Sequence, residues 1–193
     1  MKTNKNNLKK MKVMVIFSVV LLSFGWQRLL ADRVMFSMSG GYLFPADSGY
    51  KEIYGRKIFV PEFKLGLRVF DQIYIYGNFF SFSKKGFTPE LQEPAASRQQ
   101  FLGGGLAYFP YLNQHWKAFL GVGVASISYR EEAMEVTVSG HKLGFSVEGG
   151  IYYKEKFMFL GINGAYTSAT SSYEGVSFKL GGARASILLG FML

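Results

Sequence analysis

Ser139 and His141 are the two residues of this sequence whose types and spacing could carry out catalysis. Residues two apart on a strand point to the same face, so the hydroxyl and the imidazole would lie side by side. A histidine next to a serine can act as its general base, and the activated hydroxyl can attack an acyl carbon. No acid is obviously placed to orient His141, and Glu135 is a candidate only from a predicted loop. The alternative is that the two residues lie near a strand end by chance and have no chemical role.

Six charged residues lie in the middle of predicted strands. Around Glu62, Lys64 and Arg68 the intervening residues are apolar, so one strand face is charged and the other is apolar. If the apolar faces are outside, the charged faces meet inside, where each charge needs a partner. The sequence therefore predicts an internal ion-pair network of Glu62, Lys64, Arg68, Lys142, Glu148 and Arg184.

Cofactor, metal and nucleic-acid sites are not predicted. The glycine run Gly103–Gly105 and the pair Gly121 and Gly123 form neither GxGxxG nor GxxxxGK, and they favour strands that bend and make room for large internal side chains. The two histidines are 26 positions apart and the chain has no cysteine, so no metal-ligand spacing occurs. Once a leader ending at Ala31 is removed, 16 basic residues face 13 acidic ones, which is too balanced for a nucleic-acid surface.

The first 31 residues have the pattern of a secretory signal peptide. Residues 1–12 hold five lysines and no acid, and an uncharged, largely apolar run follows over Val13–Phe24. Such a run is too short for a membrane-spanning helix, which needs roughly 20 apolar residues. We expect cleavage after Gly25 or after Ala31, and a single mature domain over residues 32–193.

Eight segments with alternating hydrophobicity follow, and most are longer than the 5 to 6 residues usual for a globular strand. In the third segment, Asn78 lies mid-strand, so we expect its register to face inward together with Tyr74, Tyr76 and Phe80. Aromatic residues near strand ends are expected to form interfacial girdles. The predicted strands are 33–44, 57–70, 73–83, 99–109, 116–130, 138–152, 157–168 and 178–193, and the expected girdle residues are Tyr42, Phe44, Tyr108, Phe109, Trp116, Tyr152, Tyr166 and Phe191.

The predicted connections between these segments alternate in length. The connections 45–56, 84–98, 131–137 and 169–177 are long, whereas 71–72, 110–115 and 153–156 are shorter. This alternation is typical of an up-and-down membrane barrel with short turns at one end and longer external loops at the other. The last segment ends on apolar residues, as expected of a strand that must pair with the first and leave no edge.

The leader, the eight amphipathic segments and the terminal strand resemble the small OmpA/OmpX-type and opacity-type outer-membrane barrels. The resemblance implies an all-β, eight-stranded, antiparallel transmembrane barrel in the outer membrane of a Gram-negative-type bacterium. It also implies a terminal signal for the barrel-assembly machinery, here carried by Ser186, Phe191 and Leu193, with Leu188 in the family's glycine position and Leu193 in place of the final aromatic residue. Lipid A deacylase barrels keep a serine and a histidine near the outer leaflet, although there the histidine comes first.

We therefore expect a non-enzymatic barrel with a plugged lumen, surrounded by outer-membrane lipid and presenting external loops for membrane integrity, adhesion or surface interaction. The connection 84–98 is the longest and carries both signs of charge, so it is the expected contact surface for a ligand. The alternatives are a lipid A hydrolase that uses Ser139 and His141, and a narrow channel.

Overall fold

Eight strands and one short helix make up the part of the chain that the structure describes. The computed structural model describes residues 33–133, 136–173 and 175–193. In chain order the elements are β1 Val34–Pro45, α1 Ser48–Tyr54, β2 Ile58–Phe70, β3 Ile73–Phe87, β4 Pro94–Tyr108, β5 Trp116–Ala133, β6 Val136–Glu155, β7 Met158–Tyr173 and β8 Val176–Met192. The predicted signal peptide, residues 1–31, lies outside the described residues. No helix in the described part of the chain is long and apolar enough to span a membrane.

The strands close into an antiparallel up-and-down barrel in which each strand pairs with its neighbours in sequence. Closure is made by β1 and β8, which pair from Met35 opposite Met192 to Pro45 opposite Gly182. Beyond that ladder, the amide of Leu193 donates to Val34 O at 2.8 Å. The terminal strand is therefore paired on both sides to its last residues, and the predicted eight-stranded all-β barrel is confirmed.

The outer surface of the barrel is an apolar belt. In β2, for example, Phe63, Leu65 and Leu67 are each about half exposed while Glu62 and Lys64 between them are buried. The same alternation continues around the wall, as expected when one face contacts hydrocarbon. The belt includes Phe36, Met38, Phe63, Leu65, Leu67, Ile75, Leu102, Leu106, Leu120, Val122, Val124, Phe145, Val147, Leu160, Ile162, Ile187 and Leu189.

Two clusters of buried apolar side chains fill most of the interior. We call the one nearer α1 the upper cluster; it consists of Leu43, Ile58, Val60, Phe80, Phe82, Phe101, Ala125, Ile127, Tyr129, Ala169 and Leu180. The lower cluster consists of Met35, Tyr74, Tyr76, Ala107, Phe109, Phe119, Tyr152, Phe159, Leu188 and Met192. Tyr74, Tyr76 and Phe80 face inward as predicted. Phe109 and Tyr152 are buried in the lower cluster, so their assignment to an exterior girdle was wrong.

The predicted loop boundaries were also wrong at the end of the barrel that carries α1. Strands β3 and β4 remain paired out to Phe87 opposite Pro94, which leaves only residues 88–93 as the connection. The ladder of β5 and β6 likewise extends to Ala133 opposite Val136. Above the apolar belt polar and small residues interrupt both faces of these hairpins, so hydrophobic alternation is lost although backbone pairing continues. The long connections are therefore mostly paired hairpin arms, and 46–57 is the one that contains a helix.

Candidate functional site

A charged layer lies inside the barrel between the upper and lower clusters. Lys64 of β2 forms an ion pair with Glu148 of β6, and both are buried. Arg184 of β8 donates to Glu62 Oε1 at 2.9 Å. The same oxygen accepts from Asn78 Nδ2 at 2.6 Å, and Ser39 Oγ donates to Glu62 Oε2 at 3.1 Å. Each of these four charges therefore has an opposite charge as its direct partner, and the layer joins five strands of the wall.

Aromatic rings lie against the two cations of this layer. Lys64 Nζ is 5.3 Å from the ring centre of Tyr76 and 5.5 Å from that of Phe119, both in the lower cluster. The Arg184 guanidinium is 4.2 Å from the ring centre of Phe80 in the upper cluster. Ring faces attract cations, most strongly where water is excluded. The arrangement holds the four charges in fixed positions.

Two predicted members of the network are placed differently. Arg68 is half-buried near the end of β2, where its partner residue in β3 is Tyr74. Lys142 lies in the inner register of β6, two residues before Gly144, but is exposed. The ladder between β6 and β7 reaches only Phe145 opposite Ser168, so no paired strand covers Lys142 on that side.

His141 faces outward on β6 and contacts two serines that the sequence analysis missed. Its Nε2 lies 3.2 Å from Ser126 Oγ and its Nδ1 lies 3.3 Å from Ser128 Oγ. Both serines belong to β5, and Ser128 is the cross-strand partner of His141. Ser139 instead faces Arg130 across the ladder. Each ring nitrogen therefore has a hydroxyl partner, and Glu135, the acid considered above as an orienting group, lies outside the described residues.

Helix α1 lies over the barrel mouth and is held by polar contacts of Asp47, which caps it, and of Tyr50 in its first turn. Asp47 caps it: Oδ1 accepts from the amide of Tyr50 at 2.9 Å, and Oδ2 accepts from the amide of Lys179 in β8 at 3.0 Å. At the other side, Tyr50 Oη donates to Ser97 Oγ at 3.0 Å. Ser97 in turn donates to Glu131 Oε1 at 2.7 Å. The helix is therefore tied to three strands.

Glu131 is the ionisable residue at which these contacts of the barrel mouth converge. It lies above the apolar belt, since its chain neighbours Arg130 and Glu132 are exposed and joined by a 2.6 Å ion pair. Burial raises the pKa of the Glu131 carboxyl, and the charge of Asp47 adds to the rise, against hydrogen bonds from Ser97, Tyr54 and Gln99 that lower it. Burial and the nearby Glu131 charge also raise the pKa values of Tyr50 and Tyr54. Both phenols therefore stay protonated and can donate.

The predicted contact surface at 84–98 is a paired arm with an exposed tip. Phe87 and Leu91 are 60% and 66% exposed. At the tip Thr88 is buried, and its Oγ1 accepts from the amide of Glu93 at 3.0 Å. Farther down, Gly86 packs so closely under α1 that a Cβ there would lie 2.0 Å from Ile53 O. The arm is therefore a structured projection that presents apolar and acidic side chains.

The predicted assembly-signal residues all lie at or near the closing edge of β8. Ser186 is buried in the inner register, Phe191 faces outward and stacks on Phe157 with ring centres 6.1 Å apart, and Leu193 is exposed. Phe191 is the cross-strand partner of both Phe36 in β1 and Met158 in β7. The three residues thus share the strand that closes the barrel.

No protein-family model and no curated protein matches this sequence. Solved structures do match. Neisserial surface protein A superposes with a TM-score of 0.63 at 11% identity, over 83% of this chain and 97% of that protein. The N-terminal β-barrel domain of OprF from Pseudomonas aeruginosa superposes with a TM-score of 0.53 at 10% identity, over 84% of this chain and 98% of that domain. At such identities the likeness shows the fold, which is that of small outer-membrane barrels.

Proposed function

We propose that this protein is a non-enzymatic outer-membrane barrel that serves as a rigid scaffold for external surfaces. The observation that carries the proposal is the distribution of side chains, which is opposite to that of a water-soluble protein. Large apolar side chains cover the outside, whereas the charged residues Glu62, Lys64, Glu148 and Arg184 are buried inside the barrel. An exterior of this kind is stable only where the solvent is lipid. The leader of residues 1–31, a terminal strand suited to the barrel-assembly machinery and the likeness to outer-membrane barrels support the same location.

The end of the barrel that carries α1 and the paired arms would face the outside of the cell. Function in such proteins resides in the projecting segments, because the wall is constrained by the membrane. The arm around residues 84–98 offers Phe87 and Leu91 beside Glu90 and Glu93, a combination suited to a partner surface that is partly apolar and partly basic. The roles that fit are adhesion, surface interaction and support of membrane integrity.

The interior would not conduct nutrients. Eight strands enclose a space that side chains can fill. Here two apolar clusters and an ion-paired layer occupy it in sequence along the barrel axis. This packing supports a plugged barrel over a narrow channel.

One observation favours a second candidate, the hydrolysis of acyl chains in outer-leaflet lipid. His141 contacts Ser126 and Ser128 on the outward face, where a lipid would lie. A serine hydrolase also needs the histidine to be oriented by a further group and an oxyanion site. Both ring nitrogens of His141 are paired with hydroxyl groups, and Glu135, the acid considered for orienting it, lies outside the described residues, so the scaffold role is the main proposal.

Expression in a Gram-negative host tests the proposal. We expect the mature chain in the outer-membrane fraction, resistant to unfolding in cold detergent, and silent in planar-bilayer conductance. Replacement of residues 88–93 by a two-residue turn should leave all three properties unchanged and weaken adhesion or detergent resistance of the cells. Recovery in the soluble fraction, or steady conductance by the wild type, would overturn the proposed role.

A further inference from the structure

Strands β6 and β7 separate near the outer end of the barrel. Their ladder runs from Glu155 opposite Met158 to Phe145 opposite Ser168. Beyond it, β6 continues to Val136 paired only with β5, and β7 continues to Tyr173 paired only with β8. We call the resulting gap between the two strands the slot. Exposure of the inner-register residue Lys142 beside it is consistent with a gap in the wall.

The foot of the slot is tight. A Cβ on Gly144 would lie 2.3 Å from Ser168 O, so the two strands are still in close contact there. The outward residues beside the foot are apolar, since Leu143 is 74% exposed and the Phe145 ring lies 6.0 Å from that of Tyr166. The slot therefore begins at the top of the apolar belt, within reach of hydrocarbon chains.

A side chain bridges the slot where the backbones do not. Tyr129 of β5 reaches across β6 and its Oη lies 2.8 Å from Ser171 Oγ of β7, in the buried interior. The space for it comes from Gly140, where a Cβ would lie 2.5 Å from that hydroxyl oxygen. One side-chain hydrogen bond thus stands in place of a ladder.

Behind the slot lies a cavity of about 440 Å³ under α1. Small-molecule sites usually have about 300–1,000 Å³. Val138 and Tyr173, which line it, come from the two strands that border the slot. Ile53, Phe178 and Leu180 extend the apolar lining, whereas Glu131, Gln99, Asp47 and Lys179 supply its polar part. The cavity is therefore amphipathic and lies next to a lateral gap.

We propose that this cavity binds a single-chain amphiphile that ends in a hydroxyl group, and that the molecule enters sideways from the membrane through the slot. The chain would lie against Val138, Phe178 and Leu180, and the hydroxyl would donate to the carboxylate end of Glu131. Continuity of the slot with the apolar belt makes the membrane the source of the ligand. The inference goes beyond the surface role proposed above, and it depends on the barrel lying in a membrane but on no partner of the external arms.

Photo-crosslinking of the refolded mature chain in phosphatidylcholine vesicles tests the binding. The probe is a twelve-carbon alcohol that carries a diazirine, and peptide mass spectrometry locates the adducts. We expect saturable labelling at Ile53, Val138 and Phe178, displaced by unlabelled dodecanol, and non-saturable labelling at belt residues such as Leu160. Dodecanoate should compete at least tenfold less well, because its carboxylate would face Glu131. Labelling confined to the belt, or cavity labelling that dodecanol does not displace, overturns the proposal.

Matched variants test separately whether the cavity is the binding site and whether the ligand enters through the slot. Val138→Trp should reduce cavity labelling at least fivefold and leave the belt unchanged, and the control Leu160→Trp should leave the cavity unchanged. Tyr129→Phe removes the bridge without touching the cavity lining, so labelling should reach the same final level severalfold faster. An unchanged rate in Tyr129→Phe overturns sideways entry, and an unaffected cavity in a folded Val138→Trp overturns the assigned site. If Val138→Trp does not fold, displacement of the cavity label by dodecanol in the wild type decides whether the cavity binds the amphiphile.

Discussion

Lys64 and Glu148 form a buried ion pair across the barrel although 84 residues separate them in the chain. They belong to β2 and β6, which are four strands apart in an eight-stranded ring and therefore lie on opposite walls. Glu148 also lies over Gly121 of β5, where a Cβ would be 2.8 Å from Glu148 Cγ. The pair therefore links opposite walls at the level of the charged layer, and closure of the barrel is what brings it together.

Loss of Glu148 should destabilise the barrel strongly. Glu148→Ala leaves the Lys64 ammonium buried without its partner, and breaking a buried pair costs about 3–5 kcal/mol. The midpoint of urea unfolding for the protein refolded in vesicles measures the effect. The matched control is Glu90→Ala, which removes an exposed carboxylate in the 88–93 connection and should cost about 0–1 kcal/mol. Equal, small shifts for the two variants would mean that Glu148 is solvated.

Neutralising both partners should cost less than removing either one. In Lys64→Met with Glu148→Leu no charge remains unpaired, and apolar replacements of buried pairs are often neutral. A double-mutant cycle on the same unfolding midpoints then gives a coupling that is large and favourable. Additive effects would show that the two side chains do not interact.

Protease sensitivity should distinguish the two ends of the barrel. A protease specific for glutamate should cut intact cells at Glu90 in the 88–93 connection. Glu155, at the far end of β6 with a side chain 57% exposed, should be cut only after the membrane is permeabilised. Peptide mass spectrometry of the digests identifies each site. Cleavage at Glu155 alone in intact cells would reverse the proposed orientation.

Strand number and facing could be predicted from the sequence because the membrane imposes a period of two on every strand. Glu62 and Lys64 alternate with Phe63 and Leu65, and no folding information is needed to assign their faces. Partner identity could not be predicted, since it depends on which strands face each other after closure. The pairing of Lys64 with Glu148, and of Arg184 with Glu62, follows from the ring and not from any local pattern.

The misjudged residues lie where the membrane no longer imposes that pattern. The arm at 84–98 looked like a loop because polar residues occupy both faces above the belt. The contact of Tyr50 with Ser97 depends on a short helix in a connecting segment, which had no periodic signal. Ser126 and Ser128 were missed beside His141 because cross-strand neighbours depend on the register between β5 and β6.

His141 should be dispensable for lipid composition. Its two nitrogens are held by serine hydroxyls and not by an orienting carboxylate. Mass spectra of lipid A from cells with and without the protein should therefore be identical, and His141→Ala should change nothing. Loss of an acyl chain that requires both His141 and one of the two serines would establish the hydrolase instead.

Docking of α1 should weaken as the pH rises. The folded state raises the pKa of Glu131, so it favours the protonated carboxyl. When the pKa of a carboxyl is higher in the folded than in the unfolded state, its protonated form stabilises the fold. That stabilisation is complete below the pKa of the unfolded chain, about 4.3 for glutamate, and it is lost as the pH rises through the pKa of the folded state. Amide exchange of residues 50–55, corrected for the intrinsic pH dependence of exchange, measures the docking equilibrium by NMR of the refolded protein. Protection should fall from pH 4 toward neutrality in the wild type.

Glu131→Gln keeps the size and hydrogen-bonding capacity of the side chain but cannot ionise, so its protection should be independent of pH over that window. The control Glu132→Gln removes the exposed neighbouring carboxylate and should retain the wild-type profile. The same slope in Glu131→Gln as in the wild type would assign the titration to another group and leave α1 held chiefly by Asp47 and its contacts to Tyr50 and Lys179.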